Sequence, residues 1–181
     1  MTTQLKFSTY LDYNSFYDSG YGQGPMPTGT AYANNAVNVA LILERAHDPT
    51  PLLESNWGSR QKQLDALNDA GTLWTTYGAH KDKYDQVAAN LPTGVVTVDS
   101  LASPGNPSGY VSSWESRTLW VEITIDTSHG VDGFQSLFGT PLMKADGGGM
   151  YWNGSLSLPD NLASLGAVSY THLTLPTILR V

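Results

Sequence analysis

Cysteine is absent, charge is sparse and no long apolar run occurs. Zero cysteines in 181 residues exclude disulfides and thiolate metal sites and leave the redox compartment open. Charged residues make up 14% of the chain, and nine Lys and Arg against 16 Asp and Glu give a net charge of -7. That balance, with no Lys/Arg cluster, argues against nucleic acid as a partner. No apolar stretch approaches the roughly 18 residues that a membrane span needs, so no membrane partner is expected. Polar and aromatic residues follow Lys6, where a signal peptide would place an apolar segment. Histidine is scarce as well: His47, His80, His129 and His172 stand apart, with no His-Glu-x-x-His spacing. They read as single surface or loop residues, and no metal or other cofactor is expected in this chain.

What is present is a globular composition, 40% hydrophobic, with 18 Gly and 10 Pro that point to long loops. The length suits one domain with a single core. Residues 1–36, rich in Tyr, Gly, Asn and Ser, read as a loop-like extension with one short strand at 4–10. Residues 37–43 make a first strand, ended by His47-Asp48-Pro49 and Pro51. Ser59 is the expected N-cap of a helix over 60–68 with Leu64 and Leu67 on one face. Leu73, Trp74 and Tyr77 continue that stripe until Gly78. A second helix is predicted over 81–90, where Tyr84, Val87, Ala88 and Leu91 recur at helical spacing.

A strand at 95–99 follows, then an irregular loop over 101–116. Residues 117–126 alternate best of all: Leu119, Val121, Ile123 and Ile125 point one way, Thr118, Trp120, Glu122 and Thr124 the other. A helix over 129–138 turns Val131, Phe134, Leu137 and Phe138 inward, Gly147 to Gly149 form a turn, and 150–158 is the last strand. Strand, helix, strand, strand, helix, strand is the order of a ferredoxin-like α+β domain. Two helices are expected to cover one face of an antiparallel sheet and leave the other open.

Chemistry-bearing constellations are thin. Gly147-Gly148-Gly149 is followed by no helix start or Lys-Ser/Thr, so it reads as a hinge rather than a phosphate cradle. No Gly-x-Ser-x-Gly elbow supplies an activated serine. Asp65 and Asp69 lie at i, i+4 on a face read as solvated. Asn153-Gly154-Ser155 matches a glycosylation sequon and is read as incidental. Trp120 is different, a large aromatic on the polar side of a strand. With its neighbours Glu122 and Thr124 it forms the candidate contact surface; cover from the N-terminal extension, or a strand turned the other way round, is the alternative.

Short runs along the chain carry a resemblance. They are Ala46-His47-Asp48-Pro49, Leu73-Trp74-Thr75-Thr76-Tyr77-Gly78-Ala79, Phe138-Gly139-Thr140-Pro141-Leu142, Tyr151-Trp152 and Leu158-Pro159. In order and spacing they resemble the activation domain, or propeptide, of sedolisin-type acid serine peptidases, the kumamolisin family. The likeness spans 36–167, and the 138–142 run is its most specific piece. A Pro-x-Tyr-His-His-Tyr-Leu stretch usual after His-Asp-Pro is replaced here by residues 51–58.

The resemblance implies a domain that packs on a peptidase in cis, helps it fold, inhibits it and is released by acid-triggered self-cleavage, in proteins that are extracellular. The peptidase uses a Ser-Glu-Asp triad and binds calcium, both in a catalytic domain expected to lie outside this chain. No catalytic, cofactor-binding or metal residue is therefore assigned within it. Residues 168–181 resemble the read-through of sequencing adapters and are expected to be a non-native tail. Two other readings stand beside this one: a free-standing ferredoxin-like protein-binding module, and a small hydrolase, for which no constellation is visible.

Overall fold

The computed structural model describes residues 2–4, 29–31, 35–103, 106–145, 150–152 and 156–174. Its centre is the pair of strands with the strictest alternation. Strand β3 (Asn35–Leu43) runs antiparallel to β7 (Thr118–Asp126), with Val37 opposite Ile123, Val39 opposite Val121 and Leu41 opposite Leu119. Directly opposed residues share a face, so these β-branched and leucine side chains form one continuous apolar layer. Leu119, Val121, Ile123 and Ile125 are all buried, as their spacing predicts.

Strand β4 (Val95–Thr97) and the two-residue β8 (Val131–Asp132) both pair antiparallel with β7, on the edge away from β3. On the far edge of β3 lies β12 (Ala167–Thr174), again antiparallel. The sheet order is β12-β3-β7-β4, an open antiparallel sheet in an α+β chain.

Four helices lie between β3 and β4: α1 (Thr50–Glu54), α2 (Trp57–Asp69), α3 (Leu73–Tyr77) and α4 (Lys81–Ala89). Asn56, not Ser59, caps α2: its side-chain oxygen accepts the Ser59 N–H at 3.0 Å, which places Ser59 inside the first turn. Among them, α4 gives the core Val87, with Tyr84 and Ala88 packed against it. Helix α2 buries no residue; Leu64 and Leu67 are only half-covered.

The second covering element is α5 (Gly133–Phe138), shorter than the helix predicted over 129–138. Asp126 caps a 3-10 turn (Thr127–His129), Gly130 reverses the chain at φ 76°, and Asp132 then caps α5 through Gln135 N–H. Phe134, Leu137 and Phe138 are buried as expected, with Phe134 4.8 Å from Phe138 and 6.0 Å from Trp152, centre to centre. Gly139 ends the helix in the left-handed conformation, φ 75°.

Two further expectations give way. The loop expected over 101–116 contains a hairpin, β5 (Ser100–Ser103) paired with β6 (Asn106–Val111). Residues 150–158 are not the fourth sheet strand. They divide between β10 (Met150–Tyr151), paired with β9 (Met143–Ala145), and β11 (Ser157–Pro159). The sheet is completed instead by β12, which starts at Ala167 and runs into the segment read as a tail, because β3 has an edge to fill once Gly166 turns the chain at φ 90°. Between β11 and β12 comes a single helical turn, α6 (Asp160–Ala163).

The N-terminal extension also pairs: β1 (Thr2–Gln4) with β11, and β2 (Gly29–Ala31) with β9. Apart from Gln4, the strand predicted at 4–10 lies outside the described residues, as do Gly147 to Gly149 and the sequon at 153–155.

Candidate functional site

The face of the sheet away from the helices carries the three residues singled out in the sequence. The structure brings Trp120, Glu122 and Thr124 onto one side of β7, but in three environments. Trp120 is 4% exposed, Glu122 is half-buried and Thr124 is exposed. Opposite them on β3 stand Ala40, which is buried, half-buried Asn38 and exposed Ala36. Val96 pairs with Glu122 from the β4 side and is itself 56% exposed. This face is therefore covered at the Ala40–Trp120 end and open at the Ala36–Thr124 end.

Ser112, at the exit of the β5–β6 hairpin, fastens the covered end. The Trp120 N–H donates to Ser112 Oγ at 2.9 Å, and that hydroxyl donates to the Val98 carbonyl. The Val98 N–H in turn donates to the Trp120 carbonyl at 2.9 Å. Trp120 is thus a filled position of the fold, and the accessible strip consists of Thr124, Ala36, Val96 and the edge of Glu122. No local pattern in the sequence announces the Ser112 clasp, which joins residues on three separate segments.

One cluster contains the residue types of a nucleophilic triad. Asp126 Oδ2 lies 2.7 Å from His129 Nδ1, and Ser128 Oγ lies 3.2 Å from the same ring nitrogen. In a working triad the serine and the carboxylate occupy opposite ring nitrogens. Here both meet Nδ1, Ser128 Oγ also donates to Asp126 Oδ1 at 2.6 Å, and the His129 side chain is 79% exposed. The arrangement caps the 3-10 turn. The Ser128 bond first, then the His129 bond, holds the Asp126 carboxyl below its ordinary value.

Among the described residues no group of three or more His, Cys, Asp and Glu is placed to hold a metal ion. No described helix is long and apolar enough to cross a membrane. The large apolar side chains left most exposed lie mainly on the helical arm: Leu53 on α1, Trp57 on α2 and Trp74 on α3.

No family model, no curated protein and no solved structure matches this chain.

Proposed function

We propose that the chain is the activation domain of a sedolisin-type serine peptidase, a ferredoxin-like module that inhibits its enzyme and assists its folding. The observation that carries this reading is the run Phe138-Gly139-Thr140-Pro141-Leu142. It closes α5 with a left-handed glycine and buries Phe138 and Leu142 in the core. The strand order β12-β3-β7-β4 supports the finer fold reading, since a β-α-β-β-α-β chain of ferredoxin-like type sets its fourth strand beside the first and its third beside the second.

The peptidase would dock on the open strip that carries Glu122, Thr124 and Val96, with Trp120 stiffening the sheet beneath it. A carboxylate there, that of Glu122, would account for release in acid. One that pairs with a cation of the enzyme binds while charged and gives up the bond as acid protonates it, so inhibition is strong at neutral pH and fades as pH falls.

The test adds the purified chain to a kumamolisin-type peptidase and follows peptide hydrolysis at two pH values. Inhibition near neutrality that weakens in acid is expected, with Glu122→Gln both weaker at neutrality and less pH-dependent. Undiminished hydrolysis at both pH values overturns the proposal.

A further inference from the structure

Two arginines lie at one end of the central strands, Arg117 opposite Leu43 and Arg45 two residues beyond it. The Leu43 N–H donates to the Arg117 carbonyl at 2.8 Å, and Arg117 Nη1 donates back to the Leu43 carbonyl at 2.9 Å. Two residues beyond Leu43, Arg45 Nη1 donates to the Tyr77 carbonyl at 2.9 Å, where α3 ends. Each guanidinium is thus fixed by one backbone carbonyl, although a guanidinium carries five donors. Among the described residues neither has a carboxylate within ion-pair distance.

That is unusual company in a chain with 16 acidic and nine basic residues. Glu115, on the same turn, acts on Lys81 and Tyr84 instead. Burial, and after it the positive field of Arg45, holds the Arg117 guanidinium below its ordinary value. A negative group bound beside both would relieve that repulsion and take up donors that otherwise face solvent.

The backbone adds an independent sign. Arg117 is the one described non-glycine residue with positive φ, at 61°. It closes the turn after Trp114, whose carbonyl accepts its N–H at 3.1 Å. Glycine reaches this conformation freely and would serve the turn better. A bulky side chain held in a sparsely populated backbone region points to a task for that side chain.

We infer that Arg45 and Arg117 form a binding site for an oxyanion, a carboxylate or phosphate group presented by a ligand at the end of the sheet. Fixed guanidinium forks suit such groups because two N–H donors match two oxygens in one plane.

The experiment titrates the full chain, labelled on arginine, with inorganic phosphate and separately with a tetraglutamate peptide. Sodium chloride holds ionic strength constant, and the arginine Nε–H resonances report. Saturable movement of both the Arg45 and Arg117 signals is expected with at least one probe. Arg117→Gly, which suits the turn while removing the fork, should weaken binding about tenfold or more, as should Arg45→Gln at its exposed position. A response to phosphate alone assigns a phosphate ligand, and a response to the peptide alone a carboxylate. No saturable shift with either probe, or affinity unchanged in either variant, overturns the site.

Discussion

Gly94 and Gly133 meet back to back beside β7, at the point where β4 gives way to β8. A Cβ on Gly133 would stand 2.5 Å from the Gly94 carbonyl oxygen and 2.9 Å from that of Thr124. The Thr124 N–H donates to the same Gly94 carbonyl at 2.7 Å, so this oxygen cannot withdraw without breaking the ladder. Gly133→Ala should therefore destabilise the fold by about 1–3 kcal/mol, the usual range for overpacking a tight interior. Gly71 is the control: it sits at φ 65° with nothing within 4 Å of an added Cβ. Gly71→Ala should lose only the left-handed backbone preference, about 1 kcal/mol. Urea unfolding of the two variants checks the order.

Trp120 and Trp74 separate structural from surface tryptophan. With 4% of Trp120 exposed, Trp120→Ala should lose about 3–5 kcal/mol, while the Ser112 clasp, made by the backbone N–H that alanine keeps, should persist. Trp74 is 58% exposed, and Trp74→Ala should stay within about 0.5 kcal/mol of the parent. The same urea measurement reads both, and a Trp120→Ala variant as stable as Trp74→Ala would contradict the burial described.

These contrasts mark what the residues disclose by themselves. Alternation from Leu119 to Ile125 was enough to predict the central strand and its core face, because one face of a strand repeats every second residue. The same alternation placed Trp120 on the opposite face but not its burial. The β5–β6 hairpin, in a segment whose Pro and Gly suggested only a loop, is fastened to the Trp120 backbone there through Ser112. Leu64 and Leu67 announce a helix correctly, yet spacing cannot reveal that α2 docks no side chain into the core. Within the candidate strip, Thr124 and Glu122 were legible from their strand, whereas Val96 joins them only through the β4–β7 register. Arg45 and Arg117 belong to no motif; the pairing of β3 with β7 sets Arg117 opposite Leu43, two residues before Arg45.

Asp126 sets an acid-side prediction. Hydrogen bonds from Ser128 and then His129 hold its carboxyl below the ordinary value of 3.8. A carboxylate depressed in the folded state contributes stability above its unfolded value, and that contribution disappears as pH falls through the folded one. The Asp126 carboxyl carbon should titrate below 3.8 by NMR. Ser128→Ala should bring it back toward the ordinary value, and an unchanged midpoint would show that the hydroxyl does not matter.

Tyr84 sets the opposite limb. Its hydroxyl is pushed up to about 12, chiefly by burial, with Asp85, Glu115 and Asp99 adding negative field against a lowering bond from Ser112. A raised value means that the unfolded chain ionises first. The contribution of Tyr84 is whole below pH 10 and is lost as pH rises toward about 12. The difference in absorbance at 295 nm between the parent and Tyr84→Phe should show one phenol titrating near the upper value. Titration at an ordinary phenol value would mean that the ring is more open than its place beside the Thr118 carbonyl, 3.3 Å away, allows.

Strand β12 raises a question of cause, because the register between β12 and β3 slips twice, between Ala167 and Ser169 and between Tyr170 and Leu173. Side chains that specify a pairing hold one register, since a one-residue slip turns every one of them to the other face. Two slips in a single strand indicate that the main chain, rather than side-chain fit, keeps β12 in place. Ahead of the slips the attachment is firm: Ala167 is 3% exposed and the Glu44 N–H donates to the Gly166 carbonyl at 2.6 Å. Removing residues 168–181 should strip β3 of an edge partner and lower stability, by roughly 1 kcal/mol for each ladder hydrogen bond lost. Restoring the length with an unrelated Thr- and Val-rich sequence should recover most of that loss. Recovery only with the original residues would show that their side chains specify the edge. No loss on removal would show that β3 is stable without it, in keeping with a segment foreign to the fold.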